Sequence, residues 1–294
     1  MRIPVDYELV MEHDGSFKEK GFKRIEDCIL WCREYGLNMI LDLHKTIGFS
    51  FDAGENETGF FENERYQEIF YGLWEEFAKR FSSYENVSFE LLNEVSDKSY
   101  CETWNKIIHE TVKRIRAYAS RTRILVGGYY NNSITAIKDL DMPYDENIVY
   151  NYHCYSPLVF THQGAYWIPD MDTSFRMDFD APIDDYRKYA LKNVGPLRTE
   201  DLDFAEEGID ESYFERMFEE ALRISEERNV PLYCGEYGVI DRADVKETIK
   251  WFRCIEKVFD RHDIGRALWS YKEMDFGLVD AHYDDIREEL IRII

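Results

Sequence analysis

Residues 87–97 read VSFELLNEVSD. The first six, from Val87 to Leu92, are mostly β-branched, aromatic and aliphatic, which is typical of a buried strand. Asn93 and Glu94 then place an amide beside a carboxylate at the point where the apolar run stops. A solvated turn would explain such a pair if it were isolated. The ends of the other predicted strands therefore decide between a turn and a functional site.

Short apolar runs alternate with longer amphipathic segments along the whole chain. Six more runs are predicted strands: 2–5, 38–43, 123–128, 148–153, 231–236 and 266–271. Between them, apolar residues at three- and four-residue spacing predict helices, the clearest being 24–36, 66–81 and 213–229. Gly36 and Asn229 stand where helix C-terminal caps are expected. Strands that alternate with helices predict parallel β/α units.

About seven β/α units are predicted, one fewer than in a closed (β/α)8 barrel. An open, doubly wound sheet is the competing fold, but nothing in the chain resembles its G-x-G-x-x-G phosphate-binding turn. Parallel strands of a barrel deliver their carboxyl ends to one mouth, where barrel enzymes carry their chemistry. Residues suited to chemistry stand at or just past five strand ends: His44, Asn93-Glu94, His153, Glu236 and Trp269. We therefore predict an α/β fold of the TIM-barrel type, as a single domain over residues 1–294.

One region interrupts the alternation. Residues 161–211 carry polar, aromatic and acidic residues without clear periodicity. Because a long aperiodic stretch within a compact domain is usually functional, we predict an inserted subdomain that covers one side of the mouth. A mobile acidic loop is the alternative.

Composition excludes several classes of partner. The net charge of −23, from 36 basic and 59 acidic residues, argues against binding to nucleic acids or to anionic membranes. No apolar run approaches a membrane span, and Met1 is followed by strand-like sequence. We expect a cytoplasmic protein from the chain as given, or a secreted one if a leader precedes it.

Metal-dependent and serine-dependent hydrolysis are not predicted. The six cysteines lack the spacing of metal ligands, and most of them are expected to be small buried residues of a reduced protein. The seven histidines are scattered, and H-E-x-x-H and G-x-S-x-G motifs are absent from the sequence. We therefore expect no metal site.

Two carboxylates at strand ends, Glu94 and Glu236, fit a different chemistry. Glycosidic bond cleavage uses one protonated carboxyl as acid and one ionised carboxylate as nucleophile or base. Rigid elements such as strand ends hold such a pair in place. We expect Glu94 to keep its proton, because burial and a negative Glu236 disfavour its charged form. A single strand-end glutamate is usually structural, but two on different strands favour catalysis.

Their neighbours offer supporting contacts. The Asn93 amide is suited to a sugar 2-hydroxyl, and His153 and Tyr155 point to one face of an extended segment, within reach of a carboxylate. Arg2 is expected to hold Glu236 ionised, unless it forms an ion pair in the barrel interior. Trp269 offers a flat ring for a sugar, although a tryptophan there is also a common core residue and His153 a common core histidine.

Six motifs occur in the order RIPVDY (2–7), LDLH (41–44), ELLNEV (90–95), NYHCY (151–155), YCGEYG (233–238) and ALWSY (267–271). This pattern resembles glycoside hydrolase family 5, the cellulases and mannanases with (β/α)8 barrels. The stretches YSPLVFTHQGAYW (155–167) and LYCGEYGVI (232–240) resemble more closely its clostridial endoglucanase C branch. That branch has a subdomain inserted after the sixth strand, which coincides with residues 161–211.

The resemblance implies roles for eight residues. Glu94 would be the acid/base and Glu236 the nucleophile of a retaining double displacement. The supporting residues would be Arg2, His44, Asn93, His153 and Tyr155, and the sugar platform would be Trp269. The implied activity is endo-cleavage of β-1,4-linked glucan, of the cellulose or mixed-linkage type, without a cofactor. A β-mannanase and a truncated, weakly active carbohydrate-binding barrel are the alternatives.

The chain departs from the family pattern at three places. Val95 replaces the proline of N-E-P, and Lys45 replaces a second histidine after His44. In the family, the R-I-P strand is the second, whereas here it begins at Arg2. The first β/α unit is therefore missing from the chain as given. Either the sequence is a fragment whose true start lies upstream, or a second copy fills the gap. Because an open barrel exposes an unpaired strand edge, we expect the protein to self-associate into a homo-oligomer.

Overall fold

A computed structural model describes residues 1–52, 54–55, 57–195 and 199–294. Within these residues the strands are parallel, and their order in the sheet is their order in the chain. They are β1 (Arg2–Asp6), β2 (Met39–Lys45), β3 (Val87–Glu90), β4 (Ile124–Gly127), β5 (Ile148–Cys154), β6 (Leu232–Tyr237) and β7 (Gly265–Leu268). Each strand lies at a run predicted from the sequence, so the predicted parallel α/β fold is confirmed.

Helices separate the strands, as the spacing of apolar residues predicts. They are α1 (Glu19–Glu34), α2 (Glu64–Phe81), α3 (Cys101–Arg116), α4 (Tyr129–Asn132), α5 (Leu158–Thr161), α6 (Ile183–Asn193), α7 (Glu211–Arg228), α8 (Val245–Arg261) and α9 (Arg287–Ile293). Short 3-10 helices lie at Tyr7–Leu9, Lys98–Tyr100, Ile134–Asp139, Glu200–Phe204 and Ala281–Tyr283. Gly36 (φ 69°) and Asn229 (φ 53°) are left-handed just after α1 and α7, as expected of helix caps.

The described chain forms two compact units. The first, unit 1, comprises Met1–Tyr152 and Ile224–Leu232, and the second, unit 2, comprises His153–Arg223 and Tyr233–Ile294. Strands β5 and β6 each contribute residues to both units. The single domain over residues 1–294 and the absence of a first β/α unit stay predictions.

Some of residues 161–211, which lie in unit 2, form regular secondary structure. They include α6 and the 3-10 helix Glu200–Phe204. The buried Tyr186 of α6 donates a hydrogen bond of 2.9 Å to the Phe179 carbonyl. Residues 196–198 of the predicted insertion lie outside the described residues. That this segment is a subdomain covering a barrel mouth stays a prediction.

In unit 1, two buried tryptophans attach outer helices to the ends of strands. Trp74 of α2 donates its indole N–H to the Leu91 carbonyl at 3.1 Å, just after β3. Trp104 of α3 donates to the Gly127 carbonyl at the end of β4, at 2.8 Å. Each hydrogen bond satisfies both the indole N–H and a backbone carbonyl at or just past a strand end. The positions at which the chain leaves β3 and β4 are therefore fixed.

Buried charges link the first strands of unit 1. Arg2 of β1 binds Glu90 of β3 through its Nε and one terminal nitrogen, at 2.7 and 2.8 Å. The same guanidinium lies 3.0 Å from Asp42 of β2. These side chains are at most 3% exposed. Asn151 of β5 donates to Glu90 at 2.7 Å. Four strands are thereby joined by one polar cluster, which we call the Arg2 cluster: Arg2, Asp42, Glu90 and Asn151.

The described residues include no helix that is long and apolar enough to cross a membrane. All six cysteines are described, and all are free. Burial raises the pKa of the Cys154 thiol to about 12, and also raises the pKa of Cys234. These two thiols are therefore protonated and unreactive at neutral pH, as expected of small buried residues.

Replacing Arg2 by Met should destabilise the protein strongly. The substitution leaves Glu90 and Asp42 buried without their cation, which typically costs about 3–5 kcal/mol. Arg292→Met is the matched control, because that side chain is 77% exposed and its one ion pair among the described residues is with Glu288 across one helical turn. It should change the free energy of unfolding by less than about 0.5 kcal/mol. Urea unfolding of both variants measures the difference, and equal stabilities would contradict the account of the Arg2 cluster.

Candidate active site

Glu94 lies just past β3 in unit 1, at a sharp change of backbone direction. The chain remains hydrogen bonded to its neighbours up to Asn93, whose N–H donates to the Leu43 carbonyl at 3.0 Å. Glu94 then adopts a left-handed conformation with φ of 48° and is 9% exposed. A non-glycine residue in this region is strained, and such residues cluster at active sites.

A second turn holds the Glu94 carboxylate. Asn131 donates its amide N–H to Glu94 Oε2 at 3.0 Å, and its backbone N–H to the Val95 carbonyl at 3.0 Å. Tyr130, Asn131 and Asn132 all have φ between 51° and 58°, so that α4 is a left-handed turn after its first residue. Asn131 is not among the residues predicted from the sequence. The sequence feature that indicates this left-handed turn is the pair of asparagines after β4, since asparagine tolerates the conformation better than most residues.

Asn93 is oriented by the Arg2 cluster and keeps one donor unused. Arg2 donates to Asn93 Oδ1 at 2.7 Å, which fixes the orientation of the amide. The residue is 1% exposed, and among the described residues Asn93 Nδ2 finds no hydrogen-bond acceptor. An unsatisfied buried donor is costly, so this nitrogen is suited to bind an oxygen of a ligand.

His44 at the end of β2 shares the same cluster. Its Nδ1 lies 2.7 Å from Asp42 Oδ2, and its ring meets the edge of Phe51 at 5.0 Å between centroids. The carboxylate fixes the ring orientation through Nδ1. Asp42, Glu90 and Asn151 are not among the site residues predicted from the sequence. The sequence feature that could have indicated two of them is the two-residue period of a strand. Asp42 lies two positions before His44, and Asn151 two positions before His153, so each pair shares one strand face.

Glu236 lies near the end of β6 in unit 2 and is 5% exposed. The Tyr155 hydroxyl donates to Glu236 Oε2 at 2.9 Å. His153 Nδ1 lies 3.6 Å from the same oxygen, a close approach that is longer than a hydrogen bond. His153 and Tyr155 therefore do reach one carboxylate together, as their spacing predicts. The expected contact of Arg2 with Glu236 stays a prediction.

Trp269 directly follows β7 in unit 2 and is partly exposed. Its backbone N–H donates to the Tyr237 carbonyl at 2.9 Å. A Cβ at Gly238 would lie only 2.5 Å from the Trp269 carbonyl oxygen. The second glycine of YCGEYG is therefore needed for the backbones after β6 and β7 to approach each other.

The eight predicted residues are divided between the units. Unit 1 carries Arg2, His44, Asn93 and Glu94, and unit 2 carries His153, Tyr155, Glu236 and Trp269. In each unit a buried glutamate near a strand end accepts a hydrogen bond from a neutral donor, Asn131 or Tyr155. Such oriented carboxyls with neutral donors are suited to proton transfer and to attack on carbon.

Comparison with known proteins agrees with this chemistry. The family model for cellulase (glycosyl hydrolase family 5) matches residues 1–275. Cellodextrinase A of Ruminococcus flavefaciens is 44% identical over 267 residues, which are 90% of this chain and 72% of that protein. Endoglucanase C of Acetivibrio thermocellus is 33% identical over 298 residues, covering 100% of this chain and 86% of the relative.

Solved structures share the fold. Thermotoga maritima Cel5A in complex with cellobiose has a TM-score of 0.77 at 23% identity, over 98% of this chain and 84% of that one. The cellulose synthase subunit Z of Clostridioides difficile also has a TM-score of 0.77, at 24% identity, over 100% of this chain and 86% of that one. With the family model and the relatives above, the chain belongs to glycosyl hydrolase family 5 and is a glycoside hydrolase.

Proposed function

We propose that this protein is an endo-acting β-1,4-glucanase that retains the anomeric configuration, with Glu236 as nucleophile and Glu94 as acid/base. The observation that supports a catalytic pair is that each glutamate is buried near a strand end and oriented by a neutral donor. Which glutamate is the nucleophile and which the acid/base follows the resemblance to glycoside hydrolase family 5. The relatives named cellodextrinase and endoglucanase support a β-glucan as the substrate.

The proposed reaction has two displacement steps. In the first, an oxygen of Glu236 attacks the anomeric carbon while the glycosidic C–O bond breaks, and Glu94 gives its proton to the departing oxygen. In the second, the Glu94 carboxylate takes a proton from water, the water oxygen bonds to the anomeric carbon, and Glu236 is released. The second step thus restores both groups to their starting states.

The supporting residues have distinct proposed tasks. Tyr155 orients the Glu236 carboxylate through the hydrogen bond to Oε2, and His153 lies beside the same oxygen. The unused Asn93 Nδ2 donor binds the sugar 2-hydroxyl, where contacts strengthen in the transition state. His44 binds a sugar hydroxyl, and Trp269 offers its ring face to a sugar.

Glu236→Ala should lower kcat/KM on carboxymethylcellulose or mixed-linkage β-glucan by on the order of 10⁴-fold or more, because the nucleophile is removed. Reducing-sugar release from carboxymethylcellulose, β-glucan and mannan measures it. Glu288→Ala is the control, because that side chain is 91% exposed, and it should match the wild type. Activity that survives Glu236→Ala would contradict the mechanism. Preference for mannan would favour the mannanase alternative, and no release from any substrate would favour the binding protein.

Glu94→Ala should show a rate loss that depends on the leaving group. A 2,4-dinitrophenolate needs no proton to depart, whereas a sugar alcohol does. The variant should therefore lose on the order of 10²–10⁴-fold on β-glucan and much less in the first step on 2,4-dinitrophenyl β-cellobioside. Pre-steady-state release of dinitrophenol measures that step. Equal losses on both substrates would contradict the acid/base role.

We also propose that the partner is a β-glucan chain, and that the protein self-associates and is cytoplasmic unless a leader directs its secretion. Self-association is checked by size-exclusion chromatography with light scattering. A dimer or larger oligomer at micromolar concentration is the expected result, and a folded monomer would contradict it.

A further inference from the structure

Lys45 is the last residue of β2 and directly follows His44. Its side chain is only 14% exposed, although an ammonium group is strongly hydrated in water. Its Nζ donates to Glu55 and lies 3.7 Å from Asp6 Oδ2 and 3.9 Å from Asp52 Oδ2. One cation therefore faces three carboxylates. We call these four residues the Lys45 cluster.

The cluster consists of charged groups that are partly open to solvent. The hydrogen bond from Lys45 lowers the pKa of Glu55. Burial alone would lower the pKa of Lys45, but the hydrogen bond to Glu55 and the nearby negative charges raise it. The Asp6, Asp52 and Glu55 side chains are 46%, 52% and 39% exposed. Ion pairs between such exposed groups add little to stability, so what the cluster chiefly determines is the position of the chain that carries it.

Two of the three carboxylates lie on the chain that follows β2. We call its described residues, 46–52, 54–55 and 57, the β2 loop. The Glu55 N–H donates to the Asp52 carbonyl at 3.1 Å, so both acids belong to one turn of this loop. Asp6 ends β1 and is the register partner of Lys45. The ammonium thereby connects a turn of the β2 loop to the ends of two neighbouring strands.

Other contacts hold the β2 loop on both sides of this turn. Glu57 accepts the Gly48 N–H at 2.7 Å and the hydroxyl of the buried Tyr7 at 2.9 Å. The Phe60 N–H donates to the Gly48 carbonyl at 3.0 Å. These contacts do not involve the ammonium. The turn between Gly48 and Glu57 is therefore the part of the loop that the ammonium can position.

Phe51 connects this turn to the site, because it directly precedes Asp52. Its ring is partly buried and meets the His44 ring edge to face, at 5.0 Å between centroids and 86° between planes. The His44 Nδ1 lies 2.7 Å from Asp42. Asp42 thus fixes one atom of the histidine ring, and the packed Phe51 ring restricts rotation about that contact.

We propose that Lys45 is a positioning residue, whose ammonium holds the β2 loop so that Phe51 packs against His44 and keeps the histidine in place for a sugar hydroxyl. The inference rests on the proposed function, in which His44 binds that hydroxyl. Lys45 acts through Phe51, since its own charge is directed to the carboxylates. Without this charge the three carboxylates would repel one another, and the turn that carries Phe51 would move away from His44.

Kinetics with cellohexaose test this role. Lys45→Met keeps the aliphatic stem without the charge and should raise KM by about fivefold or more, the loss expected for one weakened hydrogen bond. The kcat should stay within about twofold, because the reacting groups are unchanged. Lys45→Arg restores a cation and should return KM to within about twofold of the wild type. Lys23→Met is the matched control, because Lys23 of α1 also pairs with two carboxylates, Glu26 and Asp27, and it should match the wild type.

A double-mutant cycle tests whether Lys45 acts through Phe51. Phe51→Ala should raise KM as Lys45→Met does, and the double variant should be little worse than either single variant, because both changes release the same histidine. Additive increases in KM would overturn the inference, since Lys45 would then act on its own. An unchanged KM in Lys45→Met would also overturn it, as would a Lys45→Arg enzyme as weak as Lys45→Met.

Fluorine NMR separates this inference from the proposed function, because it needs no catalysis. With para-fluorophenylalanine at position 51, the folded protein should show a resonance displaced from that of the urea-unfolded protein. Lys45→Met should move the resonance toward the unfolded position, and Lys45→Arg should not. Glu55→Gln keeps the lysine and changes a side chain that is 39% exposed, so it should move the resonance in the same direction even if Lys45→Met does not fold.

A resonance that stays in place in the variants that fold would overturn the positioning role, whether or not the wild type cleaves β-glucan. If the resonance moves as expected but the wild type cleaves no β-glucan, the proposed function fails, and the result supports the placement of Phe51 by Lys45.

Discussion

The bidentate pairing of Arg2 with Glu90 is the interaction on which the arrangement of unit 1 depends. It joins β1 to β3 at 2.7 and 2.8 Å, and the same guanidinium reaches Asp42 on β2. Buried charges of this kind are costly to desolvate and are weak evidence for stability as such. Here they also orient two neighbouring side chains. Through Arg2 the cluster fixes the Asn93 amide, and through Asp42 it fixes the His44 ring.

Both proposed catalytic carboxyls are positioned by neutral donors. Asn131 reaches Glu94 from a left-handed turn, and Tyr155 reaches Glu236 from the segment after β5. Neutral donors orient a carboxyl without adding a charge that would hold it in one protonation state. That suits a residue such as Glu94, which must give up a proton in one step and take one back in the next.

The strands and the longer helices could be predicted from the sequence because each leaves a local signal. The strands are short apolar runs, and the two glutamates that we propose as catalytic lie at or just past the ends of such runs. The Arg2 cluster is harder to predict from the sequence. Asp42 and Glu90 lie within strands, and the reason for a buried carboxylate there is the Arg2 side chain of another strand. Asn131 depends on backbone angles that its sequence permits but does not impose. Helix α6 was missed although Pro182 precedes it and Asp184 and Asp185 lie in its first turn, which is a recognisable helix start.

Trapping of the covalent intermediate tests the central claim, that Glu236 attacks the anomeric carbon with retention. A 2-deoxy-2-fluoro-β-cellobioside with a 2,4-dinitrophenyl leaving group slows both steps through the fluorine but speeds the first through the leaving group. The intermediate should therefore accumulate. Mass spectrometry of the intact protein should show one added fluorocellobiosyl group, and peptide mapping should place it on Glu236. A label on any other residue, or a first-formed product of inverted configuration without a label, would contradict the account.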